Sequence, residues 1–227
     1  MSNDFPHVSI VVPTMRSRIK FKYLLVNNVV SQTYPHEKLE LLIVGDNDAE
    51  TRESFEGISR LFTGIRFTYV SCGILDNIGE KRNFCCTKAS HNVIAMMDDD
   101  DIYSKDYIRH SVSEMRRLGV DIVGCRDMII TWPDLDFETR HVRGSSIHEG
   151  TMVFRRRHWK KYGFNETRTG EGVKMVAGSF HKEIDIRRVM ICVAHDSNTF
   201  DKTSLLRDGS PIEISREKKC CLREILG

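Results

Sequence analysis

The stretch Val93-Ile94-Ala95-Met96-Met97-Asp98-Asp99-Asp100-Asp101 joins five apolar residues directly to four consecutive carboxylates. The apolar run has the length and continuity of a strand buried on both faces. Like charges at its exit lose several kcal/mol to repulsion and desolvation unless a cation or many donors offset them. The block therefore reads as a divalent-metal site, and hard oxygen ligands select Mg²⁺ or Mn²⁺ rather than zinc. The competing reading is a solvated turn that also caps the next helix, since Ser104 and Asp106 resemble helix-start residues.

Upstream, the pattern alternates. A strand at Val8 to Val12 is closed by Pro13-Thr14, and Phe21, Leu24, Leu25 and Val29 then share one helical face that ends before Pro35. Leu39 to Val44 is a second continuous apolar run, ending at Gly45-Asp46. A helix over Thr51 to Phe62, a strand at Arg66 to Val70, a loop at Gly73 to Gly79 and a helix over Glu80 to Ser90 lead back to the aspartates. Such alternation predicts an α/β sheet with ligands beyond the carboxyl ends of its strands.

Downstream, Tyr107, Ile108, Ser111, Val112, Met115 and Leu118 form one helical face stopped by Gly119, and a strand at Asp121 to Cys125 follows. Trp132-Pro133, the acidic Asp134 to Glu138 and Gly144 to Gly150 read as loops crossing a cleft. Met152 to Arg155 is expected to be a strand, His158 to Tyr162 a short helix, and Val189 to Val193 a last strand that delivers His195.

A chain of 227 residues can bury the core of one domain. Charged residues at 29%, apolar ones at 40% and a net charge of +2 are an ordinary globular balance that implies no nucleic-acid partner. The apolar runs are too short to span a bilayer, and the first residues lack the basic start and apolar stretch of a signal peptide. A cytoplasmic protein is expected. The seven cysteines, without C-x-x-C spacing, read as reduced thiols, and Cys220-Cys221 among Arg216, Lys218, Lys219 and Arg223 as part of a charged C-terminal helix.

Six motifs occur in order: Val11-Val12-Pro13-Thr14, Ser31-Gln32-Thr33-Tyr34-Pro35, Leu41-Leu42-Ile43-Val44-Gly45-Asp46, Asn77-Ile78-Gly79-Glu80-Lys81-Arg82-Asn83, Met97 to Asp101, and His195-Asp196-Ser197-Asn198-Thr199. Together they resemble the family-2 glycosyltransferases of the GT-A fold, from about Val8 to Thr199. The resemblance implies a single GT-A domain with a Rossmann-like, mostly parallel sheet flanked by helices. It divides residues 1–227 into a nucleotide-sugar-binding half at about 8–125, a variable acceptor and catalytic half at about 126–200, and a tail at about 201–227.

The same resemblance implies roles. Thr14 and Asp46 fall where the nucleotide base is contacted, and Arg82, with Lys81 as rival, where the nucleotide or its diphosphate is met. Asp98 or Asp99 would accept from the ribose hydroxyls, and Asp100, joined by His195, would hold the metal; the run of four leaves the register open by one residue. The implied reaction is metal-dependent, inverting transfer from a nucleotide sugar, UDP-sugar first, to a hydroxyl on a glycan, lipid or protein, with Mn²⁺ or Mg²⁺ beside the leaving diphosphate.

Inverting transfer needs a general base. The family's Glu-Asp pair, after a Trp-containing helix and a Gly-Phe step, maps here onto Glu171 with Gly172 in place of the Asp. Glu171 is the expected base, with Glu166 and Asp185 as fallbacks; its flanking glycines allow an unusual backbone and close substrate approach. His148-Glu149-Gly150-Thr151 and Trp132 are further residues that could touch the acceptor. Two other functions compete: metal-dependent phosphoryl or nucleotidyl transfer, which a carboxylate cluster also suits, and a sugar-nucleotide-binding module without catalysis, supported by Gly172 alone.

Overall fold

The computed structural model describes residues 5–73, 75–198 and 202–226, apart from the side chain of Lys218. Thr199, the last residue of the His195 motif, lies outside them. In chain order come β1 (Val8–Pro13), α1 (Lys22–Val30), β2 (Leu39–Gly45), α2 (Ala49–Glu56), β3 (Arg66–Ser71), α3 (Ile78–Lys88) and β4 (Val93–Met96). After the aspartates follow β5 (Ile102–Tyr103), α4 (Tyr107–Leu118), β6 (Ile122–Gly124), β7 (Asp127–Trp132), β8 (Glu138–Arg143), β9 (Val153–Arg155) and α5 (Arg156–Tyr162). Then come α6 (Val173–Val176), β10 (Lys182–Glu183), β11 (Met190–Val193), α7 (Leu205–Asp208), β12 (Ser210–Pro211) and α8 (Arg216–Leu226).

The main sheet has the order β10-β6-β9-β4-β1-β2-β3, and β3, β2, β1 and β4 are mutually parallel, with β9 antiparallel between β4 and β6. Its central strands are continuous apolar runs because both faces are covered. Val8, Ile10, Leu41, Ile43 and Ala95 join one core cluster, while their neighbours Val11, Leu42, Ile94 and Met96 join a second on the opposite face. The chain leaves β1 toward β2 and β3, then returns to place β4 on the other side of β1. That reversal opens a crevice between the carboxyl ends of β1 and β4, the usual ligand position in an open parallel sheet.

A second sheet, β12-β8-β7-β11-β5, corrects the expectation of loops after Cys125. β7 and β8 form a hairpin from Asp127↔Arg143 to Trp132↔Glu138, turned by Pro133–Leu135 and by Asp136 and Phe137, both at positive φ. β8 has no regular alternation for the sequence to show: its two buried residues, Thr139 and Val142, lie on opposite faces, and the charged Glu138, Arg140 and Arg143 around them are less buried. Trp132 is a buried anchor rather than an open platform. The second helix stops at Glu56, short of Phe62, because Gly57 and a 3-10 turn at Ser59–Leu61 follow. Among the described residues no helix is long and apolar enough to cross a membrane.

Candidate active site

The first two strand exits are tied by one lysine. Lys81, on α3, donates to the Thr14 carbonyl at 2.9 Å and to Asp46 Oδ1 at 2.5 Å. Thr14 itself is held to β2 through its N–H and the Val44 carbonyl at 2.9 Å, and its hydroxyl donates to Asp99 Oδ2 across the crevice. Asp46 keeps about half of its side chain exposed, 47%, which leaves it able to meet a ligand while paired.

Each aspartate of the 98–101 turn has a cationic or donor partner, and Arg18 serves two of them. Arg82 donates to Asp98 at 3.0 and 3.4 Å. Arg18 Nη1 lies 3.1 Å from Asp99 Oδ1 and 3.0 Å from Asp100 Oδ2. His195 Nε2 is 2.9 Å from Asp100 Oδ2, and Asn198 Nδ2 donates to the same oxygen at 3.3 Å. Asp101 accepts the Val193 N–H at 2.8 Å, with Lys202 Nζ 3.8 Å away.

These environments separate the four acids. Burial opposes ionisation of Asp98, but the Arg82 guanidinium overrides it and holds the carboxyl below its ordinary value. Burial likewise opposes Asp100, and the His195 hydrogen bond with the Arg18 and Lys202 charges brings it to about 2. Burial and the Asp100 charge push Asp99 up to about 7 despite Arg18 and Thr14. Asp101 is also raised to about 7 by burial, with Lys202 opposing.

Asp99, one of the two acids expected at the ribose, is fully buried. Its carboxylate points at Thr14 and Arg18 beneath the cleft, and Asp98, Asp100 and Asp101 line the wall. Asp100 and His195 converge as an O and N pair. Among the described residues no cluster of three or more His, Cys, Asp or Glu side chains could hold a metal ion. An oxygen and nitrogen pair of this kind would suit a hard divalent ion that takes further ligands from outside the protein.

The Asn77 to Asn83 motif turns out to be mostly architecture around one arginine. Asn77 caps α3, accepting the Glu80 N–H at 2.9 Å and donating to Glu80 Oε1 at 2.9 Å. Gly79 lets the 165–167 loop lie on the helix, for a Cβ there would stand 1.7 Å from the Asn165 carbonyl oxygen. Asn83 Oδ1 accepts from Trp159 Nε1 and the Phe164 N–H, both at 2.9 Å, which fixes the Gly163-Phe164 step. These contacts hold the segment that carries Glu171 against the helix that carries Arg82.

Arg82 Nε donates to Glu171 Oε1 at 2.9 Å, so this buried guanidinium bridges Glu171 and Asp98. Burial lifts the Glu171 carboxyl above its ordinary value; Arg82 opposes the shift and Glu149 adds to it. Gly170 does adopt a left-handed φ of 66°, whereas Gly172 has an ordinary φ of −79°.

A cleft of about 760 Å³ at the crevice is lined by Thr14, Asp46, Arg82, Asp98, Asp100 and Glu171, among others. The structure thus brings together all the expected site residues: six on the wall, Asp99 beneath it, and His195 behind Asp100. Glu166 and Asp185 do not line it. Arg18 and Lys202 join the site without any signal in the sequence, while Glu149, expected among the residues that could touch the acceptor, and Asn198, inside the His195 motif, line it as well.

The sequence pattern of Glycosyl transferase family 2 matches residues 9–182. A relative, Glycosyltransferase AglE of Haloferax volcanii, is 29% identical over 129 residues, covering 55% of this chain and 40% of AglE. Among solved structures, the mannosyltransferase PcManGT from Pyrobaculum calidifontis in complex with GDP-Man and Mn²⁺ superposes with a TM-score of 0.67 at 16% identity, covering 85% of this chain and 57% of that one. S. aureus TarS 1-349 in complex with UDP-GlcNAc gives 0.64 at 14% identity, covering 85% and 60%. The chain spans less than two thirds of the length of each of these proteins. The likenesses bear out the expected GT-A fold, and the match over 9–182 shows the family: the chain belongs to Glycosyl transferase family 2.

Proposed function

We propose that this chain transfers a sugar from a nucleotide-diphosphate donor, UDP-sugar first, to a hydroxyl on a glycan, lipid or protein, with inversion and with Mn²⁺ or Mg²⁺. The observation that carries this reading is convergence. The β1 exit, the 98–101 turn, α3 and the 170–172 turn are far apart in sequence and meet on one cleft at the crevice of the parallel sheet. Family membership favours sugar transfer over phosphoryl transfer, and the complexes of PcManGT with GDP-Man and of TarS with UDP-GlcNAc support a nucleotide-sugar donor.

In this reading Asp46 accepts from a ring N–H of the base, Thr14 packs beside it, and Asp98 accepts from the ribose. Arg82, between Asp98 and Glu171, sits next to the diphosphate. Asp100 and His195 would hold the metal, which supplies a positive partner for the charge that develops on the leaving diphosphate. Glu171, buried and raised, takes the proton of the acceptor hydroxyl on the face of the sugar opposite the leaving group. We place the whole chain in one domain, and the reaction in the cytoplasm, where five buried free thiols remain reduced.

Glu171→Gln is expected to keep donor binding and lose transfer by at least about 10²-fold. Near-normal transfer by that variant removes Glu171 as the proton acceptor. Release of free nucleoside diphosphate supports sugar transfer, and release of pyrophosphate or nucleoside monophosphate supports nucleotidyl transfer instead.

A further inference from the structure

A side chain at Gly172 would compete for space with Met152 and Glu149. The φ of Gly172 suits any residue, yet a Cβ built there would lie 2.6 Å from Met152 Cε and 2.8 Å from both Cγ and Oε1 of Glu149. The volume beside Glu171 that a side chain at 172 would fill is taken by a carboxylate from another segment, the 3-10 turn Glu149–Thr151. That carboxylate accepts the Gly172 N–H at 2.8 Å, clamping the turn next to Glu171. Glu149 is half-buried and lines the same cleft.

We propose that Glu149 is a positioning residue for Glu171, occupying the place of a residue-172 side chain and forming with Glu171 a carboxylate pair assembled from two segments. The proposal rests on Glu171 as the proton acceptor. In the transfer step the acceptor O–H bond breaks and its proton joins the Glu171 carboxylate. The oxygen's electron pair forms the new bond to the anomeric carbon, and the old carbon–oxygen pair leaves on the diphosphate. The charged groups set against Glu171 are Arg82 from α3 and Glu149 from its turn; Asp98 shares the same guanidinium, and His148 acts on Asp98. Arg82 favours the ionised Glu171, so without Glu149 its proton affinity would fall. An anion beside it favours the protonated form that the step creates.

The test is carboxyl-carbon NMR of ¹³C-glutamate-labelled protein, following the Glu171 titration, together with the pH profile of nucleoside diphosphate release from UDP-glucose and GDP-mannose with Mn²⁺. Glu149→Gln keeps an acceptor for the Gly172 N–H and removes the charge. The Glu171 midpoint should drop by about one unit, the acidic limb of turnover should follow it, and affinity for UDP with Mn²⁺ should stay within about twofold. An unmoved midpoint in a folded variant overturns the proposal.

Relocation gives the second measurement. Glu149→Ala combined with Gly172→Asp should restore the midpoint lost in Glu149→Ala, whereas Gly172→Asp alone should disturb it through collision with Glu149. A double variant no better than Glu149→Ala overturns the proposal, as does a Glu149→Gln variant without turnover beside a Glu171→Gln variant with near-normal turnover. Should the wild type bind no nucleotide and release none, the sugar-transfer reading fails, and the Glu171 titration still decides whether Glu149 acts on it.

Discussion

Replacing Arg82 by methionine tests the electrostatic centre of the site. The Arg82 side chain is 7% exposed, and those of its partners Asp98 and Glu171 are 12% and 6% exposed, so solvent screens neither pair well. Removing one partner of a buried ion pair costs about 3–5 kcal/mol, since the remaining charge is left without compensation. For a chain of this size that loss corresponds to a melting temperature lower by about 10 °C. The sign of the pH dependence follows from the two carboxyls. Native Asp98 is depressed, so its stabilising contribution is present above its unfolded value and is lost as pH falls through its folded value. In the variant, burial and the Asp100 charge remain while Arg82 is gone, so Asp98 rises and Glu171 rises further. Both groups then bind protons on folding, and the variant loses stability as pH rises above about 4. Urea denaturation at pH 8 and pH 5 should therefore show the larger deficit at pH 8. A deficit under about 1 kcal/mol at pH 8, or one equal at both pH values, refutes the bridging role.

Arg18 places a positive charge at 3.0 Å from Asp100, and like charges about 4 Å apart repel by about 4 kcal/mol at an effective dielectric of about 20. Arg18→Gln should bind Mn²⁺ in the absence of nucleotide at least about tenfold tighter, measured by calorimetry; equal or weaker affinity contradicts the competition. Gly79→Ala would force the 165–167 loop off α3 at a cost of about 1–3 kcal/mol, more than the roughly 1 kcal/mol gained in helix propensity. Thermal unfolding should show a lower midpoint with impaired turnover, and a variant as stable as the parent disproves the packing. Glu40, buried on β2, is raised by burial but lowered overall by hydrogen bonds from Ser9 Oγ at 2.5 Å, Ser90 Oγ at 2.7 Å and Ser90 N at 2.8 Å. Its contribution is present above the unfolded carboxylate value and lost as pH falls, so Glu40→Gln should be less stable by about 1–3 kcal/mol at pH 7 and lose less on acidification to pH 3. An unchanged acid limb would rule this network out.

The parallel core was legible because β1, β2 and β4 are buried on both faces and so read as unbroken apolar runs. The end of α4 was legible for a local reason as well: Gly119 adopts a φ of 67°, the left-handed cap expected of a glycine there. The β7–β8 hairpin was hidden because one of its strands, Glu138–Arg143, lacks the period-2 pattern of a strand: buried Thr139 and Val142 lie three residues apart among charges that look like loop. In the site, the aspartate run announced itself through its cost. Its counter-charges did not, because Arg18, Arg82 and Lys202 reach it from segments whose proximity only the fold decides. Glu149 was expected only among residues that could touch the acceptor; its place beside Glu171 follows from the fold, which sets the 149–151 turn against Gly172.

The central claim is that the cleft at the β1–β4 crevice binds a nucleotide sugar through a divalent ion held by Asp100 and His195. Its most direct test is calorimetry of UDP-glucose, UDP-GlcNAc, GDP-mannose and further nucleotide sugars against the folded protein with Mn²⁺, with Mg²⁺ and with chelator. Binding of a nucleotide sugar that chelator abolishes and Asp100→Asn weakens is the predicted result; a folded protein that binds none of them under any of the three conditions contradicts it.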